Sequence, residues 1–153
     1  MNTHTLLDKK DDTEEMIKLL TTQLNLYKDI HGLTRELNDL LLNNSNEYIM
    51  GSKLEEREQL IETVTSLKRE YESVKEWCNS ADNNIKAQRD TLLHEIQHVG
   101  NSIGMLDAEN IDLIRNCIKN ITISLEKIQE GKHLVSNLKK HMCNSPVFVD
   151  VCG

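Results

Sequence analysis

His94-Glu95-Ile96-Gln97-His98 is the one run in this chain whose residue types and spacing fit bond-breaking chemistry. On a helix the two histidines lie one turn apart and can hold Zn²⁺. Glu95 can then act as general base on a metal-bound water, the arrangement of a small zinc hydrolase. Such a centre needs a third ligand. The residues that follow, Val99-Gly-Asn-Ser-Ile-Gly104, offer none; the next histidine is His133, and Glu109 sits unusually close. Nothing upstream reads as the strand that would align a peptide substrate. The competing reading turns Ile96 and Val99 towards a helix bundle and leaves both histidines in solvent. We therefore expect no catalytic residues, no metal, no cofactor and no enzyme activity, and keep the zinc hydrolase as a minor alternative.

The elements that would position these residues are helices. Four stretches of apolar repeat run through the 153 residues. In the first, Met16, Gln23, Ile30 and Leu37 hold one seam position and Leu19, Leu26, Leu33 and Leu40 the other, the 3-4 alternation of a coiled-coil-like stripe. Leu20, Leu24, Tyr27 and Leu41 widen the stripe, which suits a bundle better than a two-stranded coil. Gln23 reads as a polar residue that sets register. Asp12-Thr-Glu-Glu15 has the form of a capping box at the head of this helix. Asn43-Asn-Ser-Asn46 breaks it. Ser52-Lys-Leu-Glu55 forms a second box after Gly51, and Leu60, Val64, Leu67, Tyr71, Val74, Cys78, Ala81, Ile85, Gln88 and Leu92 continue a seam. The cluster Asn79–Asn84 predicts a break near 79–83, with a third helix running to about 99. Gly100 and Gly104 mark a further turn, and Asp107 is the expected N-cap of a last helix reaching about 142.

That last helix carries Ile111, Ile114, Ile118, Ile121, Leu125, Ile128, Val135, Leu138 and Met142 at helical spacing. Its apolar face fits two roles, the core of a bundle or a surface that covers a partner. Beyond it lies Pro146-Val-Phe-Val-Asp150, holding the only proline and the only phenylalanine of the chain. A polar helical protein ending in such a segment suits protein binding.

Composition sets the same bounds. Aromatic residues are only 3% of the chain, so leucine and isoleucine must supply burial, as they do in thin bundles. The expected fold is all-α: an elongated antiparallel bundle of three to four long helices with a short extended C-terminal tail. The expected organisation is a disordered N-terminus over 1–11, a bundle over 12–142 and a flexible tail over 143–153. A net charge of −7 disfavours nucleic acid and anionic membrane as partners. No apolar run approaches the ~20 residues of a membrane span, and the N-terminus lacks the apolar core of a signal peptide. Four scattered cysteines without CxxC spacing (Cys78, Cys117, Cys143, Cys152) read as reduced thiols of a cytoplasmic protein. Trp77 reads as packed at the bundle edge, and Glu55-Glu-Arg-Glu58 as a solvated helix face.

Three stretches resemble the flagellar type III export chaperones, the FliT and FlgN families. Leu19-Leu-Thr-Thr-Gln23-Leu-Asn-Leu-Tyr27-Lys-Asp-Ile30, continuing to Leu42, is similar to the FlgN-type opening helix. Leu54-Glu-Glu-Arg57-Glu-Gln-Leu60-Ile61 resembles the FliT-type second helix with its E-x-R-x-x-L-I run. Ile128-Gln-Glu-Gly131-Lys132 followed by Pro146-Val-Phe-Val-Asp150 looks like the helix end and tail of many members. Leu138 stands roughly where members often place a tyrosine, and the chain closes on Val151-Cys-Gly where many carry basic residues. The resemblance implies a cytoplasmic helical chaperone. It would hold the C-terminal helical segment of a filament cap protein or of the hook–filament junction proteins, prevent premature assembly, and pass the client to the export apparatus. Ile111, Ile114, Ile118, Ile121, Leu125 and Ile128 are the expected client-binding residues. The heptads equally support a coiled-coil adaptor or homodimer.

Overall fold

A computed structural model describes residues 4–75 and 82–144. Within them the chain is all-α: α1 spans His4–Leu42, α2 Glu47–Val74 and α3 Asn83–Asn144. Among the described residues no helix is long and apolar enough to cross a membrane. The chain divides into two compact units, Met1–Leu113 and Ile114–Gly153, inside the stretch read as one bundle.

The first unit is a three-helix bundle. A short connection forces α2 to return along α1. Glu36 meets Lys53 at 2.8 Å, Thr34 meets Arg57 at 2.9 Å and Gln23 meets Leu67 at 3.2 Å, so α2 numbers fall as α1 numbers rise. The start of α3 runs the other way, parallel to α1. Met16 and Leu20 pack with Tyr71, Val74, Ile85, Leu92 and Ile96. Further along, Ile30, Val64 and Ile103 pack with Leu26, Tyr27, Leu60 and Val99. Most of the α1 seam is buried: Met16, Leu19, Gln23, Ile30, Leu33 and Leu37, with Leu20 and Leu24 of the widening row, while Leu26, Leu40, Tyr27 and Leu41 are half-buried. Gln23 donates its amide N–H to the Leu67 carbonyl, which satisfies it inside the seam. The Lys53 ammonium is held above its ordinary 10.5, first by its hydrogen bond to Glu36.

The helix ends depart from expectation for local reasons. α1 closes in a Schellman turn: the Ser45 N–H donates to the Leu40 carbonyl at 3.0 Å and the Asn44 N–H to the Leu41 carbonyl at 3.3 Å. Asn44 takes the left-handed position at φ 47, which asparagine tolerates better than most residues. The next residues then supply a cap at once. The Asn46 side chain accepts the Tyr48 N–H at 2.8 Å, so α2 starts at Glu47 and not at the Ser52 box, with Gly51 inside the helix. At the other end of the chain's first helix, α1 begins at His4, ahead of Asp12, in a stretch free of glycine and proline.

α2 ends at Val74 and α3 starts at Asn83; most of the break expected at 79–83 lies outside the described residues. Trp77, Cys78 and Ala81 lie outside the described residues, as does the Pro146–Asp150 tail. The expected turn at Gly100–Gly104 is absent. Both glycines lie within α3, so the described residues form three helices. Two interior glycines cost a helix only about 1 kcal/mol each, and Ile96, Val99 and Ile103 repay this by packing against the bundle. Asp107 is consequently no N-cap but a mid-helix residue.

Candidate protein-binding surface

The second unit exposes one apolar face. Along Ile114–Asn144 no residue with a described side chain is buried. Ile114, Ile118, Ile121, Leu125 and Ile128 are 43–59% exposed, and Val135, Leu138 and Met142 prolong the stripe at 53–77%. Ile111, at the close of the first unit, is 48% exposed. Of the two roles that the spacing permits, intrachain core is not the one these residues fill. Single exposed leucines are ordinary; a contiguous exposed stripe of this length is not.

The flanks of the stripe are easy to desolvate. Thr122, Ser124, Gln129, Gly131 and Ser136 border it, uncharged and mostly small, with Arg115 at its head. The Thr122 hydroxyl donates to the Ile118 carbonyl at 3.0 Å and the Ser124 hydroxyl to the Asn120 carbonyl at 2.9 Å. Their donors stay satisfied when a partner covers them, so burial strands no polar hydrogen. The charge is mainly basic: Arg115, Lys119, Lys127, Lys132, Lys139 and Lys140 stand against Glu126 and Glu130. Cys117 is a free, half-buried thiol.

His94, Glu95 and His98 lie exposed on α3, while Ile96 and Val99 pack into the first unit's two clusters. Glu109 is also exposed. Among the described residues no group of three His, Cys, Asp or Glu is placed to hold a metal ion.

A polar layer in the first unit was not anticipated. Arg57 donates from Nε to the Thr34 hydroxyl at 2.9 Å and from Nη2 to Asp107 Oδ2 at 2.6 Å. Thr34 donates in turn to the Ile30 carbonyl at 2.7 Å. Asn38 donates to Asn110 Oδ1 at 2.9 Å, and Asn110 donates to the Thr34 carbonyl at 3.3 Å. These bonds tie all three helices together. Arg57 is thus a half-buried cross-link and not part of a solvated face; its side chain is 17% exposed. A signal for this layer did exist. Leu20, Leu24, Tyr27, Thr34, Asn38 and Leu41 fall on one 3-4 row, so its polar members had to be satisfied inside.

No protein-family model, curated protein or solved structure matches the chain.

Proposed function

We propose that this chain is a helical binding protein of the flagellar export chaperone class, which covers an amphipathic helical segment of its client with the second stretch of α3. The observation that carries this reading is the unpartnered stripe Ile114, Ile118, Ile121, Leu125 and Ile128, with Ile111 at its head, in a chain whose first unit already has its own core. Burying one such side chain is worth roughly 1.5–3 kcal/mol, so a few of them suffice for specific binding by helix-in-groove packing. The clients implied by the sequence resemblance, the filament cap protein and the hook–filament junction proteins, present C-terminal helices that would otherwise self-associate. The first unit serves as a stable scaffold, release occurs at the export apparatus, and the setting is the cytoplasm.

Co-expression with the C-terminal segments of the cap and junction proteins from the same genome tests this. Capture of the cap segment alone makes the protein FliT-like; capture of the junction segments makes it FlgN-like. If neither is captured by a folded chain, the export reading fails. The second reading, a coiled-coil adaptor or homodimer, is favoured by the 3-4 spacing of the stripe itself. Sedimentation equilibrium of the free chain decides it.

A further inference from the structure

We propose that the helix received by the second unit is acidic, and that Lys132 and Lys139 fix its register by pairing with two carboxylates seven residues apart. This rests on the reading of the stripe as a client surface. The stripe is two rows of seven-residue spacing. One row is Ile114, Ile121, Ile128, Val135 and Met142, apolar throughout. The other begins Ile111, Ile118 and Leu125 and then carries Lys132 and Lys139, while Leu138 continues the apolar face beside Lys139 as the straight helix drifts from the seven-residue repeat. Both lysines are exposed, and no ion pair among the described residues engages them.

A lysine in a seam row lowers affinity unless its charge is met, and for that reason it selects one register and one partner. The charge around it says what that partner is. Ile114–Asn144 carries six Lys and Arg against two acids, in a chain of net −7. A second copy laid parallel along this face would set Lys132 against Lys132 and Lys139 against Lys139. A partner helix with Glu or Asp at the facing positions instead gains two charge-assisted contacts and offsets the basic surface. The lysine stems cover the apolar edge while their ammonium groups reach those carboxylates.

Three synthetic amphipathic helices with one Leu/Ile seam test this against the full chain by fluorescence anisotropy. One carries glutamates at two seam positions seven residues apart, one carries lysines there, and one carries the two glutamates on its outer face. The seam-glutamate peptide should bind at least about tenfold more tightly than either other peptide at low salt. In the K132E/K139E variant the order of the seam-glutamate and seam-lysine peptides should invert. Equal binding of all three, failure of all to bind, or no inversion overturns the proposal. So does a dimer of the free chain that Ile118→Asp abolishes, because a second copy is then the occupant. Equal capture of a flagellar client by wild type and K132E/K139E overturns the register alone and leaves the chaperone reading intact. Peptides that obey the charge rule beside a chain that captures no flagellar client overturn the export reading alone.

Discussion

Helix α3 carries an apolar repeat along both of its stretches, and the two meet different fates. From Asn83 to Ile103 the repeat is covered: Ile103 is buried, and Ile85, Leu92, Ile96 and Val99 are half-buried against the clusters seeded by α1 and α2. From Ile114 to Asn144 the repeat is at least as regular and stays in solvent. Charge divides in the same way. Met1–Leu113 holds 12 Lys and Arg against 22 Asp and Glu, while Ile114–Asn144 holds six against two. Periodicity therefore states that a face needs cover, and other facts decide where the cover comes from. Here the deciding fact is length. α1 has 39 residues and α2 has 28, whereas α3 has 62, so neither can line all of it.

The sharpest way to break the comparison is to put one charge into each stretch's function. Ile118→Asp should reduce capture of a client segment about 100-fold or more, since a central interface residue is worth roughly 2–4 kcal/mol and 1.4 kcal/mol is tenfold. Circular dichroism and the denaturation midpoint should stay near wild type, as for exposed substitutions generally. A variant that unfolds would show that the stripe is core after all. Leu20→Ala is the counterpart. Leu20 is fully buried between Met16 and the half-buried residues of α2 and α3, so its truncation should cost about 2–5 kcal/mol in urea denaturation. Capture should be unchanged wherever the variant remains folded.

Much of the first unit was legible because its residues act through spacing alone. The rows through Met16 and Leu19 specify the buried face of α1, and Leu60, Val64, Leu67 and Tyr71 specify that of α2. In the run His94–His98 the facing was legible for the same reason: Ile96 and Val99 pack inward, which turns His94 and His98 outward. What failed was punctuation. Gly51, Gly100 and Gly104 looked like boundaries, yet a glycine interrupts a helix only when no packing offsets its cost. Reading a turn at Gly100–Gly104 shortened the last helix and hid the length mismatch that leaves Ile111–Ile128 uncovered. The Arg57 cross-link was missed because an arginine between glutamates resembles a solvated face until the polar row Thr34, Asn38 supplies its partner.

That polar row sharpens the comparison at intermediate cost. Asn110 is buried and Asn38 gives it a hydrogen bond at 2.9 Å. Asn110→Leu leaves the Asn38 amide without its acceptor and should destabilise the first unit by about 1–3 kcal/mol. The double variant N38L/N110L should recover part of this loss, because replacing both partners of a buried polar pair with apolar groups is far less costly than removing one. A double-mutant cycle measures the coupling. Additive losses would mean that the two amides act independently and the layer does not bind the helices as a unit. Client capture, which belongs to the other stretch, should not move in any of the three.

The smallest effects concern the glycines, and they test whether the two stretches melt together. A Cβ at Gly104 or at Gly131 would meet nothing within 4 Å, so alanine is free to adopt the helical backbone at either place. Gly104→Ala should raise the denaturation midpoint of the first unit by an amount worth about 0.5–1 kcal/mol, the helix-propensity gain. A turn at Gly100–Gly104 would give the opposite sign, because alanine would then resist the turn conformation. Gly131→Ala brings the same propensity gain to a stretch with no described buried side chain. Such a stretch opens at low free energy, ahead of the packed core. Its variant should therefore gain helical signal by circular dichroism while the first unit's midpoint stays in place. A midpoint that shifts equally in both variants would show one cooperative unit along α3, and the uncovered stripe would then be held by more than its own helix.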